Sequence, residues 1–343
     1  SGNDYGVYLV NNADFNTVEY NNLTTNGTGA NADVIVSETS WQNNITNNVI
    51  HSNATGSSNQ GVVLNSDSNT TTISGNNITT SGADTNHGIW ILNRGTSNNV
   101  TNNVINTSGA GSDYGINLDT SVNDTIVMGN NITSGGSGGG NNGVNIVTRS
   151  FRNNITNNLI NTRGTTINYG IIVSTDSNIN VIARNNITTT GTDASNFGIY
   201  LFTRSTSNNL TNNVINTSGP ATNYGINLDT SVNDTIILNN TINSGGSADS
   251  NVGIRIVTRS FRNNITHNRV LSRGTSDNYG VDINSVNLTH VEYNNITTNG
   301  TTTQNIGIII TTGGLNNITN NVIATNGSSS TFGIYAQVNV RHN

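Results

Sequence analysis

The stretch TRSFRNNIT stands at 148–156 and again at 258–266, and YGINLDTSVNDTI stands at 114–126 and at 224–236. Both pairs have the same offset, and two unrelated stretches with one shared offset place the chain on a lattice. The lattice points are glycines followed by alternating apolar residues: Gly6, Gly61, Gly88, Gly115, Gly143, Gly170, Gly198, Gly225, Gly253, Gly280, Gly307 and Gly333. Asp33 takes the glycine place in DVIV, between Gly6 and Gly61. Four steps of this near-regular lattice make the offset of the repeated stretches, which are therefore the same point on turns stacked four apart. The sequence counts thirteen turns, twelve full coils and a partial C-terminal one, with no boundary or linker along 1–343. It reads as a single β-helix domain.

Each turn alternates apolar and polar residues over four to six positions, which is the period of strands and not of helices. Counted from the glycine, aliphatics fall at +1 and +3, near +12, and at +17. Each turn therefore carries three short strands joined by Asn, Ser, Thr and Gly corners. One such triplet cannot bury its apolar side; stacked turns can. The expected fold is all-β, a right-handed parallel β-helix with ladders of like residues inside and no obvious caps.

Composition then excludes several classes. Hydrophobic residues are 32% and charged residues 9%, which in an aperiodic chain would indicate disorder. Fixed aliphatic spacing excludes that. A net charge of −6, with all twelve cations arginine, argues against a nucleic-acid partner. No cysteine excludes a disulfide scaffold, and no apolar run reaches membrane-spanning length. The chain opens SGNDYG without a leader-like apolar core, the mark of either a cytoplasmic protein or a mature form with its leader removed.

One column is held in phase at +15: Asn21, Asn48, Asn76, Asn103, Asn130, Asn158, Asn185, Asn213, Asn240 and Asn268, with Asn294 and Asn321 one step early in shortened turns. Two places on comes an aliphatic residue, so alternation turns both inward. A buried amide without partners is unfavourable, whereas stacked amides satisfy one another donor to acceptor. These twelve asparagines are expected to form an internal ladder.

The quoted grammar, carried by GINLDTSVNDTIVMGNNIT (115–133) and GIYLFTRSTSNNLTNNVI (198–215), resembles right-handed β-helix repeat proteins of the pectate-lyase-like superfamily. It looks most like the Asn-rich class of NosD-type or periplasmic copper-binding-type repeats found on archaeal and bacterial cell surfaces. The resemblance covers nearly the whole chain. It implies an extracellular location, as a mature form with its leader removed, more strongly than it implies any reaction.

Turns alternate in kind, so the full repeat is a pair of turns, marked by Arg94, Arg149, Arg204 and Arg259 at +6. With Asp67 and Asp176 at +6 and Asp119 and Asp229 at +4, an outer column of alternating ion pairs is expected, Asp67–Arg94–Asp119–Arg149–Asp176–Arg204–Asp229–Arg259, whose value lies in register more than in stability. A second column precedes the glycine: Tyr5, His87, Tyr114, Tyr169, Phe197, Tyr224, Tyr279 and Phe332. Strict alternation would turn these rings inward as packing, with a sugar-binding platform as the alternative. At +2 lie outward apolar side chains, among them Ile35, Val63, Trp90, Ile172, Tyr200, Ile309 and Tyr335.

Catalysis by a β-helix needs grouped carboxylates or carboxylate-bound calcium beside a base. Here the acids are dispersed and largely copies of one another, so no catalytic, cofactor-binding or metal residue is assigned, and calcium has no specific support. Copper would want cysteine, methionine or clustered histidine; the chain has no cysteine, one methionine and five dispersed histidines. Sequons are abundant, and Asn22, Asn44, Asn77, Asn99, Asn131, Asn154, Asn186, Asn209, Asn264, Asn295 and Asn317 are candidate glycosylation acceptors beside inward aliphatics.

An open β-helix leaves unpaired backbone at each extremity, and nothing in the sequence resembles a cap. The expectation from sequence is therefore a non-enzymatic, self-assembling extracellular structural protein, a filament, sheath or surface-layer subunit whose partners are copies of itself and glycans. Alternatives are a polysaccharide-binding or polysaccharide-cleaving β-helix, or a surface adhesin that does not polymerise.

Overall fold

The structure, a computed structural model, describes residues 3–53, 55, 58–192, 195–220, 222–247, 250–302, 304–337 and 340–341. Contacts divide the chain into two compact units, residues 1–166 with 170–172 and residues 167–169 with 173–343. Both are parallel β-solenoids. Among the described residues there is no helix, and the turns, about 12 in all, are built from three parallel sheets.

A representative turn runs Asn86–Leu92 in the first sheet, Asn99–Thr101 in the second and Val104–Gly109 in the third. Each strand pairs in parallel with its equivalent one turn on, so Ile89 lies beside Ile116, Val100 beside Val127 and Ile105 beside Ile132. All six are fully buried. In the second unit Ile226, Ile237 and Ile242 occupy the same places and are equally buried. Each such side chain removed from water contributes roughly 1.5–3 kcal/mol, and the sum over stacked turns opposes the entropy of ordering a glycine- and asparagine-rich chain.

The expected amide column is present. In the first unit Asn103 donates from both its backbone N and Nδ2 to Asn130 Oδ1, each at 3.0 Å, and its Nδ2 also reaches Ile73 O at 2.9 Å. The pattern runs from Asn21 through Asn48, Asn76, Asn103 and Asn130 to Asn158. In the second unit it runs from Asn185 through Asn213, Asn240, Asn268 and Asn294 to Asn321. Asn103 and Asn130 are 1% exposed and Asn158 2%.

The residue before each ladder asparagine turns the corner in the left-handed region: Asn47, Asn102, Asn157 and Asn212 have φ of 55–56°, and Gly75 and Gly129 take the same place at 67° and 69°. Asparagine and glycine tolerate that backbone best. The recurring NN and GN dipeptides thus encode a corner followed by a ladder rung.

Two further polar columns are not evident in the sequence. A second amide ladder lies two residues before each glycine, with Asn86 Nδ2 donating to Asp113 Oδ1 at 2.8 Å in the first unit and Asn223 Nδ2 to Asn251 Oδ1 at 2.8 Å in the second. A third column caps backbone, as where Thr71 N donates to Asn98 Oδ1 at 2.9 Å.

The lattice glycine is required by close approach. A methyl group on Gly88 would run into Ile105 Cγ2 of its own turn and the carbonyl of Gly115 in the next. Asp33 occupies this inward place once, fully buried beside Thr25 with no well-formed hydrogen bond, and burial pushes its carboxyl up to about 7.

Because the glycine points inward, the residue before it must point outward. The expectation that the aromatic column packs inside is corrected accordingly: its rings lie on the outer face of the first sheet. There they stack on the side chains at +2, Tyr5 on Tyr8 at 5.4 Å, His87 on Trp90 at 4.6 Å and Phe197 on Tyr200 at 5.0 Å between centroids.

Candidate functional site

On the first sheet the places −1, +2 and +4 face outward. In the second unit the +2 column reads Tyr200, Asn227, Arg255, Asp282, Ile309 and Tyr335, each beside the next on adjacent turns. The turns GIRI and GVDI are the two in the chain that place a charge at +2. Repetition therefore breaks at Arg255 and Asp282, and it does so on a partly open face.

Arg255 Nε lies 3.3 Å from Asp282 Oδ2, and the Arg255 guanidinium carbon stands 5.4 Å from the centre of the Tyr224 ring. The two charged side chains are 27% and 13% exposed, so the pair is held at the floor of the face and not in free solvent. Directly after Asp282 the pairing slips: Ile283 faces Ile310, but Asn284 faces Thr312. A bulge of this kind re-aims side chains and is common beside functional sites. Asn227, one turn from Arg255, is 2% exposed and its Oδ1 lacks a hydrogen-bond partner.

Rings flank the pair. On one side Tyr169, Phe197, Tyr200, Phe202 and Tyr224 form a run with centroid separations of 5.1 Å for Tyr169–Phe197, 4.8 Å for Tyr200–Phe202 and 5.0 Å for Phe197–Tyr224. On the other, a hollow of about 280 Å³ is lined by Tyr279, Gln304, Ile309, Phe332 and Tyr335, and Tyr279 OH donates to Gln304 Oε1 at 3.2 Å.

Burial pushes the Asp282 carboxyl up to about 6, a rise that the facing Arg255 only partly opposes. Burial, with the charge of Asp229, pushes Tyr200 up to about 12, and burial with Asp277 and Asp282 does the same for Tyr279. Tyr224 is raised by burial, with Arg255 opposing. Near neutral pH the face thus offers a cation for an anionic ligand group, a carboxyl able to take or give a proton, phenols that stay protonated as donors, and ring faces for stacking.

The same face in the first unit carries no charge at +2. Its column holds Val63, Trp90, Asn117 and Asn145, with Asn145 Nδ2 donating to Asn117 Oδ1 at 2.8 Å. His87 is stacked between Trp90 and Tyr114, and burial holds its imidazole neutral, down at about 3.

The register column departs from expectation. Arg94 pairs with Asp67 at 2.6 Å and Arg204 with Asp176 at 2.7 Å, but among the described residues Asp119 makes no ion pair with Arg149, nor Asp229 with Arg259. Asp119 and Asp229 instead accept from the neighbouring Thr120 and Thr230 hydroxyls, at 3.0 and 3.1 Å. The reason is offset: +4 and +6 are two places apart, roughly 6.6 Å along a strand, whereas equal offsets stack directly. The missing pairs are replaced at +9 by Asp124–Arg152 and Asp234–Arg262, both at 2.7 Å. Ion pairs therefore alternate between +6 and +9 on successive double turns, which explains why identical stretches recur every fourth turn and not every second.

Of the sequon asparagines, Asn22, Asn44, Asn77, Asn131, Asn186, Asn264, Asn295 and Asn317 are exposed, and Asn99, Asn154 and Asn209 are half-buried. Asn317 Nδ2 is engaged by Glu292 Oε1 at 2.6 Å. Among the described residues no group of three or more His, Asp or Glu side chains is placed to hold a metal ion, and no helix is long and apolar enough to cross a membrane.

The architecture is that of a parallel β-helix, and solved structures match it at that level. The A-module of Azotobacter vinelandii mannuronan C-5 epimerase AlgE4 superposes with a TM-score of 0.57 at 12% identity, covering 92% of this chain and 90% of that one. The A-module of the AlgE6 enzyme of the same organism gives 0.52 at 12% identity, covering 98% and 91%. No protein family matches the chain and no curated protein matches it in sequence. Identity this low establishes the fold alone.

The expectation of a non-enzymatic, self-assembling structural subunit is nonetheless corrected here. The two solved structures just named are mannuronan C-5 epimerases, enzymes that act on a polysaccharide. The premise behind that expectation, that the acids are dispersed and largely copies of one another, fails at Asp282, which has no copy at +2 and is paired with Arg255.

Proposed function

We propose that the chain is a carbohydrate-active β-helix protein whose second unit takes an acidic polysaccharide along the outer face of the first sheet. One observation carries the reading: the unrepeated, half-buried Arg255–Asp282 pair, set against Tyr224 and flanked by stacked rings. Strands in a parallel sheet are spaced ~4.8 Å apart, comparable to one pyranose residue in an extended glycan. Successive rungs thus meet successive sugars. Arg255 meets a uronate carboxylate, the rings of Tyr200 and Tyr224 stack on pyranose faces, and Asp282 lies where a proton on the carbon next to that carboxylate would be. Removal of that proton by the Asp282 carboxylate leaves a carbanion spread onto the uronate carboxyl beside Arg255. Return of a proton from a tyrosine hydroxyl on the opposite side inverts the carbon, the phenol being reprotonated from water and Asp282 releasing its proton to water; loss of the neighbouring glycosidic oxygen, protonated by a tyrosine, gives a double bond instead. The mannuronan C-5 epimerases that share the fold carry out the first of these by name.

An extracellular or cell-surface setting, in which such polymers occur, belongs to the same proposal, as does the kinship with Asn-rich NosD-type repeats. Glycosylation at the exposed sequons is a further proposal, checked by mass mapping of peptides from the native source. The functional test incubates the protein with polyuronates and matched neutral polysaccharides in deuterated water. Deuterium entry beside the carboxylate, or a new unsaturated sugar, is the expected result, lost in Asp282→Asn. Binding and turnover indifferent to both Arg255→Ala and Asp282→Asn would refute it.

A further inference from the structure

The third sheet of the second unit carries a second concavity, away from the ring-lined face. It encloses about 540 Å³ and is bordered by Asn216, Asn243, Gly245, Arg273, Thr275 and Asn299 among others. Arg273 is the one charged residue of the lining, which contains no carboxylate. Gly245 and Arg273 are direct neighbours on adjacent turns, and Arg273 faces Asn299 on the turn beyond.

The glycine shapes the hollow. A methyl group on Gly245 would stand 2.7 Å from Arg273 Cγ, so the arginine stem lies flat across the bare backbone. The amides of the lining are set in advance: Asn243 Nδ2 donates to Asn216 Oδ1 at 2.8 Å. The arrangement is repeated in the first unit, where Arg163 Cγ lies 2.7 Å from the corresponding point on Gly135. Thr165 Oγ1 donates to Ser137 O at 2.8 Å there, as Thr275 Oγ1 does to Ser247 O at 3.4 Å in the second unit. The glycine bed recurs because the sequence repeats every fourth turn; the second unit differs in its amides, with Asn243 where the first unit has Thr133.

We infer that this hollow binds one anionic sugar residue, its carboxylate or sulfate on Arg273 and its hydroxyls on the surrounding amides and threonines. The volume lies within the range of small-ligand sites, and a guanidinium fork with neutral amides fits an oxyanion on a hydroxyl-rich ring. It is a site separate from Arg255 and Asp282, and its ligand need not react there.

The test titrates short oligogalacturonates, matched neutral oligosaccharides, a sulfated oligosaccharide and inorganic sulfate into four proteins: the wild type, Arg273→Ala, Arg255→Ala and the double variant. Expected is residual binding of charged oligosaccharides in Arg255→Ala that falls about tenfold or more on adding Arg273→Ala, with neutral sugars unaffected. The carboxylated and sulfated arms tell which oxyanion is taken. Gly245→Ser, which fills the hollow and keeps the charge, should lower affinity similarly. Binding abolished by Arg255→Ala alone, or indifferent to Arg273→Ala, overturns this site and leaves the first-sheet proposal standing. Binding lost with Arg273→Ala but unchanged by Arg255→Ala does the reverse. Sulfate bound as tightly as the oligosaccharides would show a bare anion site and also overturn it.

Discussion

Arg255 Nε and Asp282 Oδ2 meet at 3.3 Å across adjacent turns of one sheet, in a column where every other turn holds an uncharged residue. Both sit on β-strands held by the ladders beneath them, so their separation is set by the sheet and not by loop motion. A scaffold that repeats everything else but carries this pair once has an asymmetric use for it.

That pair fixes a pH dependence. Asp282 accepts a proton only as the carboxylate, and its carboxyl stands raised to about 6. Activity on an acidic polysaccharide should fall as pH drops through about 6, well above the ordinary carboxylate range near 4. Arg255 opposes the rise, so Arg255→Ala should move the acid limb to still higher pH while weakening binding. Asp282→Asn should lower turnover by a factor on the order of 10²–10⁴. A pH–rate profile of the wild type and Arg255→Ala with one substrate checks this. An acid limb near 4 in both would remove Asp282 from the proposed role.

The amide ladder predicts sharp local costs. Asn130 Oδ1 accepts from both Asn103 N and Asn103 Nδ2, at 3.0 Å each, and all these groups are buried. Asn130→Ala would orphan the Asn103 backbone N–H and strip its Nδ2 of one of two bonds, the other staying on Ile73 O, at about 1–3 kcal/mol per lost bond, and Asn240→Ala would do the same to Asn213 in the second unit. Denaturant unfolding should show several kcal/mol lost in each. Asn77→Ala, one residue beyond ladder Asn76 and exposed, should show almost none. Equal effects at Asn77 and Asn130 would mean that asparagine content, and not the ladder, holds the turns.

Ion pairs should behave oppositely. Arg94–Asp67 and Arg152–Asp124 have good geometry, yet their arginine side chains are 70% and 54% exposed. Neighbouring arginines hold Asp67 and Asp124 below the usual carboxylate range. Double-mutant cycles on either pair should give a small coupling that shrinks with salt. A larger coupling that resists salt would show that the pairs do more than set which turn stacks on which.

How much of this is legible in the sequence depends on whether a feature repeats. The Asn103–Asn130–Asn158 column is readable because phase is exact and burial of amides leaves one solution. The second ladder through Asn86, Asp113 and Asn141 is hidden, because its place before the glycine merges with corner residues of the same types. Strict alternation places the ring column inside. The glycine's own inward tilt against Ile105 reverses that, a packing fact invisible without the neighbouring turn. Arg255 and Asp282 escape a search for periodic signals because they are departures from one. Their cue lies in GIRI and GVDI, two charges in an otherwise uncharged column.

Asp33 offers the sharpest test of the interior. It stands where the column otherwise has glycine, and burial lifts its carboxyl from 3.8 to about 7. The folded protein then holds a proton that the unfolded chain releases between those values. Stability is therefore fullest below about 3.8, declines as pH climbs toward about 7, and stays low above it, with a slope of at most about 1.4 kcal/mol per pH unit. Asp113 and Asp282, each raised to about 6, add narrower declines of the same sign. Asp33→Gly restores the lattice residue and removes the largest of these terms. The variant should melt at higher temperature than the wild type at pH 8, match it near pH 4, and show a flatter profile between. Asp33→Asn separates charge from shape: it removes the titration but keeps a side chain in the glycine place, and should recover the flat profile with less of the gain. Wild type and Asp33→Gly with parallel profiles from pH 4 to 8 would mean that this carboxyl reaches water, contrary to its buried position beside Thr25.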